Sequence, residues 1–158
     1  MICTILTAPN QILNNSSVCV EGIHQRFRLN DLPESGTTYS LNFVIDSMLE
    51  TMIHNHGIGL AACQIGININ LFVAQDPYTG KKKVFINPHI VPSVELASMT
   101  EGCLSVPGIY KSVNRPSEIE ISYRDKNFNE HTERYDGLMA RICLHEYDHL
   151  LGRLFTDE

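Results

Sequence analysis

Apolar residues recur at helical spacing between Leu41 and Ile53, where Leu41, Val44, Ile45, Met48, Leu49, Met52 and Ile53 fall on one stripe. The spacing predicts a helix from residue 41 to about Asn55, with Ser40 as its N-cap and Gly57 as a left-handed C-terminal cap. Short apolar runs at Leu71–Gln75 and Val84–Asn87 flank the breaker-rich stretch Asp76-Pro77-Tyr78-Thr79-Gly80, the pattern of a hairpin. From Glu118 to Tyr123 apolar and polar positions alternate strictly, which marks a half-buried strand. A polar turn over residues 125–129 should return it through Tyr135. Asp136 is a candidate N-cap for a second helix that Gly152 ends, and residues 153–156 could add a last short strand. Residues 1 to about 39 read as irregular, with turns at Pro9-Asn10, Asn14–Ser17 and Pro33–Gly36 and a small apolar patch around Val18–Val20. These elements predict one α+β domain over residues 1–158.

Composition narrows the functional classes. The apolar share is 43% and the charged share 19%, values of an ordinary globular chain. A net charge of −6 argues against nucleic acid as a direct ligand, because phosphate binding needs a basic face. Five cysteines are scattered with no CxxC pair, and neither a signal-peptide pattern nor a run long enough to span a membrane is present. A reducing, cytosol-like compartment fits, with thiols available for metal binding.

The second helix carries His145-Glu146-Tyr147-Asp148-His149. Histidines four apart lie on one helical face and can grip one metal ion, while Glu146 can reach a water on it. A catalytic site of this kind needs a third protein ligand and one open position. Downstream the third-histidine position of one metalloprotease pattern is Phe155, and no glutamate-bearing helix follows. Upstream candidates are His24, His54, His56, His89, His131 and the cysteines. Cys103 stands out by its setting, Glu101-Gly102-Cys103-Leu104-Ser105-Val106-Pro107-Gly108: Gly102 admits close backbone approach, and the Pro and Gly suggest a bent, irregular segment.

Three motifs, Gly57-Ile58-Gly59-Leu60-Ala61-Ala62-Cys63-Gln64, Glu101–Ser105 and His145–Leu150, resemble in type and order the signatures of peptide deformylases. With Asn87-Pro88, Arg115-Pro116 and Asp136-Gly137-Leu138 the resemblance spans roughly residues 40–157. It implies antiparallel or mixed sheets packed around a central helix carrying HExxH. The implied activity is hydrolysis of the formyl group of N-formylmethionyl peptides on nascent proteins, releasing formate. Cys103, His145 and His149 would be the metal ligands, Glu146 the proton carrier, and Gln64 with the backbone N–H of Leu104 the oxyanion donors. Gly57, Ile58, Gly59 and Gly102 would lie beside an extended substrate, and Leu138 and Ile142 would line the methionine pocket or be plain core. Arg115 and Asp148 would form an ion pair holding the metal helix against the loop after Cys103. One divalent ion is implied, iron(II) natively, with zinc, nickel or cobalt as substitutes.

Three departures from the family pattern stand out. Leu144 replaces a usual glutamine, and Tyr110 stands where many bacterial members have arginine. The chain also reaches Glu158 without the C-terminal helix by which many members dock on the ribosome, which puts that docking in doubt. A short form of this kind, phage-like in pattern, would act as a monomer in the cytoplasm, or in the host cytoplasm if phage-encoded. The alternative readings are an HExxH-type zinc endopeptidase and a catalytically silent binder of formylated peptides.

Overall fold

The computed structural model describes residues 1–28 and 36–157; of the turn expected at Pro33–Gly36, all but Gly36 lies outside them. In chain order the elements are β1 (Arg26–Phe27), β2 (Tyr39–Ser40), α1 (Leu41–His54), β3 (Gly59–Ala61), β4 (Leu71–Gln75), β5 (Lys82–Pro92), β6 (Leu96–Cys103), β7 (Val106–Pro116), β8 (Glu118–Arg124), β9 (Glu130–Asp136) and α2 (Gly137–Leu150). Short 3-10 turns occupy Gln11–Asn14, Ala62–Ile65 and Phe155–Asp157. The fold is α+β.

An antiparallel sheet of order β3-β4-β5-β8-β9 divides the interior. Strand β4 is buried along Leu71, Phe72, Val73 and Ala74, and successive side chains go to opposite faces. Leu71 and Val73 join Leu60 and Ile86 against Val44, Ile45, Met48 and Met52 of α1. Phe72 and Ala74 join Phe85, Ile119 and Ile121 against Met139, Ile142 and Cys143 of α2. A sheet covered on both faces explains why the β4 run is continuously apolar, whereas β8, with alternate residues less buried, alternates. The separate hairpin β6–β7 contributes Val106 and Val113 to the α2 side, so α2 lies between sheet and hairpin.

The ends of the helices refine the sequence expectations. Ser40 caps α1, its hydroxyl accepting from the Phe43 N–H at 3.2 Å. At the other end the left-handed residue is His56 (φ 57°), not Gly57. His56 N–H donates to Ile53 O and Gly57 N–H to Met52 O, the paired bonds of a Schellman ending. Gly57 instead sits in a tight contact: a Cβ there would stand 2.9 Å from Leu104 Cδ1, whose methyl would have to shift. Asp136 occupies the N-cap position of α2 but makes no side-chain capping bond. Gly152 (φ 75°) closes α2 as expected.

The residues around Cys103 form the tip of a hairpin, Cys103 pairing with Val106 across Leu104-Ser105, and the irregularity expected there takes the form of a register shift between Glu101 and Cys103. Gly59, expected beside a substrate, is a strand residue paired with Ala74. The short strand expected at the end of the chain is corrected. The final segment forms a 3-10 turn, because Asp157 folds back so that its carboxylate accepts from Leu154 N–H at 2.8 Å.

The chemically mute first residues are tied to the rest. Leu6 N–H donates to Gln64 O at 2.7 Å and Ala8 N–H to Ser105 O at 2.8 Å. Asn87, in a left-handed conformation, clasps Val20 with its amide, accepting from Val20 N–H and donating to Val20 O.

Candidate active site

A cleft of about 620 Å³ opens between β3, the β6–β7 hairpin and α2. Strand β3 is an edge of its sheet, so its unpaired backbone side is available to an extended peptide. Gly57, Ile58, Gly59, Gly102, Leu138 and Ile142, the six residues expected beside a substrate, all line this cleft. Ile58 is half exposed there, while Ile142 is almost wholly buried and also packs in the core.

Helix α2 places His145, which lines the cleft, and the buried His149 one turn apart, their rings 5.2 Å between centroids. Cys103, brought in by the hairpin tip, has its Sγ 3.3 Å from His149 Nε2. One donor atom from each of the three lies within 4.8 Å of the others, and among the described residues no fourth Cys, His, Asp or Glu joins the group. The other histidines and cysteines considered as third ligands stay outside it. A thiolate with two imidazoles is a donor set of intermediate softness that fits a first-row divalent ion and leaves one position open. The imidazoles titrate in opposite senses. Burial and the neighbouring His145 push His149 down. Burial also acts to lower His145, but its contacts with Cys103 and Glu101 outweigh that and raise it.

Glu146 is buried, and its Oε2 has no hydrogen-bond partner among the described residues. Burial pushes its carboxyl up to about 7, against the pull of His145 and Arg115. The carboxylate lies flat on Gly59, where an added Cβ would stand 2.6 Å from Oε1 and 3.0 Å from Cγ. Gly59→Ala should therefore displace the carboxylate and lower turnover by about 10²-fold with little change in KM, since misplacement by an ångström costs on that order. Steady-state kinetics of the metal-loaded variant would show it.

Gln64 is buried. Its Oε1 accepts from Ala61 N–H at 2.9 Å and its Nε2 donates to Ser105 Oγ at 3.0 Å, which fixes the amide with Nε2 toward Cys103 Sγ, 3.7 Å away. Leu104, the other expected oxyanion residue, also lines the cleft.

Behind His145 lies a buried ion network centred on Glu101. Its Oε1 accepts from His145 Nδ1 at 2.8 Å and from an Arg115 terminal nitrogen at 3.0 Å. Its Oε2 accepts from Arg115 Nε at 2.6 Å and from Arg141 at 2.7 Å. The remaining Arg115 terminal nitrogen reaches Asp148 Oδ2 at 2.6 Å. Burial alone would raise the Glu101 carboxyl, yet the bonds from His145, Arg115 and Arg141 outweigh it and hold it at about 2. The expected Arg115–Asp148 pair is thus present, but as one limb of a larger assembly, and Arg115 sits at the base of the hairpin rather than in a loop after Cys103.

Sequence reasoning missed Glu101, Arg141 and Ser105 as contributors. Glu101 and Ser105 were visible inside the cysteine motif. Arg141 lies four residues before His145, and so on the same helical face one turn earlier, which is its signal. Leu144, the departure beside His145, is buried in the core, and Tyr110 stands exposed on the cleft rim with its ring edge against Gly102.

The chain matches the family model for polypeptide deformylase over residues 2–158. It is similar to the peptide deformylase of Chlorobium luteolum, 44% identical over 142 residues that cover 87% of this chain and 73% of that one. Its fold is similar to the crystal structure of peptide deformylase from Ehrlichia chaffeensis, with TM-score 0.86, 34% identity and coverage of 99% of this chain and 87% of the other. It is also similar to a probable peptide deformylase from Synechococcus phage S-SSM7, with TM-score 0.82, 34% identity and 98% of each chain covered.

Proposed function

Because the chain belongs to the polypeptide deformylase family, a family of metal-dependent enzymes that remove the N-formyl group from nascent peptides, we propose that its single domain does so with the residues gathered at the cleft floor. Cys103, His145 and His149 hold the divalent ion, Glu146 moves the proton, and Gln64 with the Leu104 N–H receives the developing oxyanion. The observation that carries this reading is the meeting of a Cys-His-His donor triad, an unpartnered buried carboxylate and an anchored amide at the floor of one cleft, where all of them but the buried His149 line the opening.

The substrate backbone lies extended along the β3 edge at Gly57–Gly59, with Gly102 on the opposite wall, and the methionine side chain enters between Ile58, Leu138 and Ile142. A divalent ion held by Cys103, His145 and His149 would supply Lewis acidity, lowering the pKa of an attacking water and polarising the formyl group. Glu146 accepts the proton that the water loses as it adds to the formyl carbon. It then delivers that proton to the peptide nitrogen as the C–N bond breaks, giving formate and a free amine. A carboxyl poised near neutrality suits both halves of this transfer. Ala61 and Ser105 already hold the Gln64 amide, so only the Nε2 hydrogen that faces Cys103 Sγ has to change partner to reach an oxyanion.

Loss of one oxyanion donor typically costs 10²–10³ in turnover, so Gln64→Ala should fall in about that range. The same kinetic series should leave KM little changed. Formate release from formyl-Met-Ala-Ser, with no cleavage of an unformylated casein-type substrate, tests the reaction itself; internal cleavage of casein would favour the endopeptidase reading. Iron(II) is our reading of the native ion, the same donors accepting zinc, nickel or cobalt. We read the working unit as a monomer in the cytoplasm. No helix among the described residues is long and apolar enough to cross a membrane.

A further inference from the structure

Arg141 takes no part in the proton transfers above, yet it is a buried arginine one helical turn before His145. Its guanidinium makes three short contacts to two strands and one carboxylate. One terminal nitrogen donates to Glu101 Oε2 at 2.7 Å and to Val113 O at 2.8 Å, and the other donates to Ala97 O at 2.7 Å. Ala97 lies in β6 and Val113 in β7, so one side chain of α2 grips both strands of the hairpin. That hairpin carries Cys103 at its tip and Glu101 two residues before it. His145 and His149 belong to α2. The donor triad is thus assembled from two bodies, and Arg141 binds one to the other.

The same contact completes the seating of Glu101. Each of its oxygens has two donors, and Arg141 is one of the two on Oε2. The carboxylate is buried, so a lost donor would not be replaced freely by water. It would rotate or shift toward Arg115, and His145 Nδ1, 2.8 Å from Oε1, would follow it. Partners of this kind behind a ligating histidine fix the ring orientation, and their removal typically costs 10–100-fold in metal affinity or activity.

We infer that Arg141 is a positioning residue for the metal site, setting the His145 ring through Glu101 and the distance between α2 and Cys103 through the Ala97 and Val113 carbonyls. This rests on the reading of Cys103, His145 and His149 as the metal donors. A simple core role for Arg141 would lower melting temperature when lost but leave the bound ion's surroundings unaltered.

The test loads the full chain and its variants with Co(II) and reads the visible absorption bands, the rate of Co(II) release to a chelator, and formyl-Met-Ala-Ser kinetics. For Arg141→Met the bands should shift, release should quicken by roughly 10–100-fold, and kcat should fall with KM within about twofold. In a Glu101→Gln background the same substitution should quicken release far less, because both changes act on one arrangement. Bands and release identical to the parent, or full multiplication of the two effects, would overturn the proposal. If Arg141→Met does not fold, Arg141→Lys decides: a single ammonium cannot make all three contacts, so release should still be faster than in the parent, and parent-like bands and release would refute the role. Failure of the parent chain itself to bind Co(II) would instead refute the donor triad.

Discussion

Glu146→Gln lowers formate release from formyl-Met-Ala-Ser by about 10²–10⁴-fold while metal content stays at the parent value, the range expected when a general base is lost. The substitution keeps the shape that Gly59 accommodates, so the site is not rebuilt. What disappears is the capacity to accept and return a proton. The experiment separates two roles because they predict different pairings of turnover with stability. A buried carboxylate with an unpartnered oxygen is costly to the fold, so a neutral amide there should hold or raise the melting temperature. Lower activity in an equally or more stable protein marks chemistry. Unchanged turnover would reduce Glu146 to a core residue, and metal content with melting curves on the same samples distinguishes these outcomes.

Cys103→Ala should be the more damaging change to the metal itself. On the proposed reading it removes one of three donors and leaves His145 and His149 with only solvent to complete the site. Loss of a direct ligand should exceed the 10–100-fold that an outer partner costs. After dialysis the variant should retain less than a tenth of the parent's metal, with formate release falling in step. The fold should survive, since Cys103 is only partly buried at a hairpin tip while both apolar clusters stay intact. Metal analysis beside circular dichroism checks both statements. Full metal retention would mean that sulfur is not a donor and that the third ligand lies elsewhere.

The parts of the molecule legible in the sequence are those whose burial is local and periodic. Helix α1 announced itself because one stripe of it faces a core, and β8 because its alternate residues do. The β6–β7 hairpin did not. Along β6 the buried position is Glu101, a charged residue, so no apolar period exists to read, and Pro107 and Gly108, ordinarily breakers, sit inside β7. The left-handed end of α1 was misplaced by one residue because a glycine stood next to it for a packing reason. In the site, the HExxH spacing is local to one helix and was visible at once. Cys103 could be singled out by its setting and then by family resemblance. The Glu101 network joins residues 14 and 40 positions apart and has no local signature.

The strap formed by Leu6 and Ala8 has a practical consequence for anyone handling this protein. By bonding to the carbonyls of Gln64 and Ser105, it braces from behind the residue that carries the amide at the cleft and the one whose hydroxyl holds that amide. Trimming or retagging that leading stretch, which looks harmless on a map of active residues, would slacken the brace while both hydrophobic clusters kept most of their mass. A preparation altered there could pass every check of purity and folding and still work slowly.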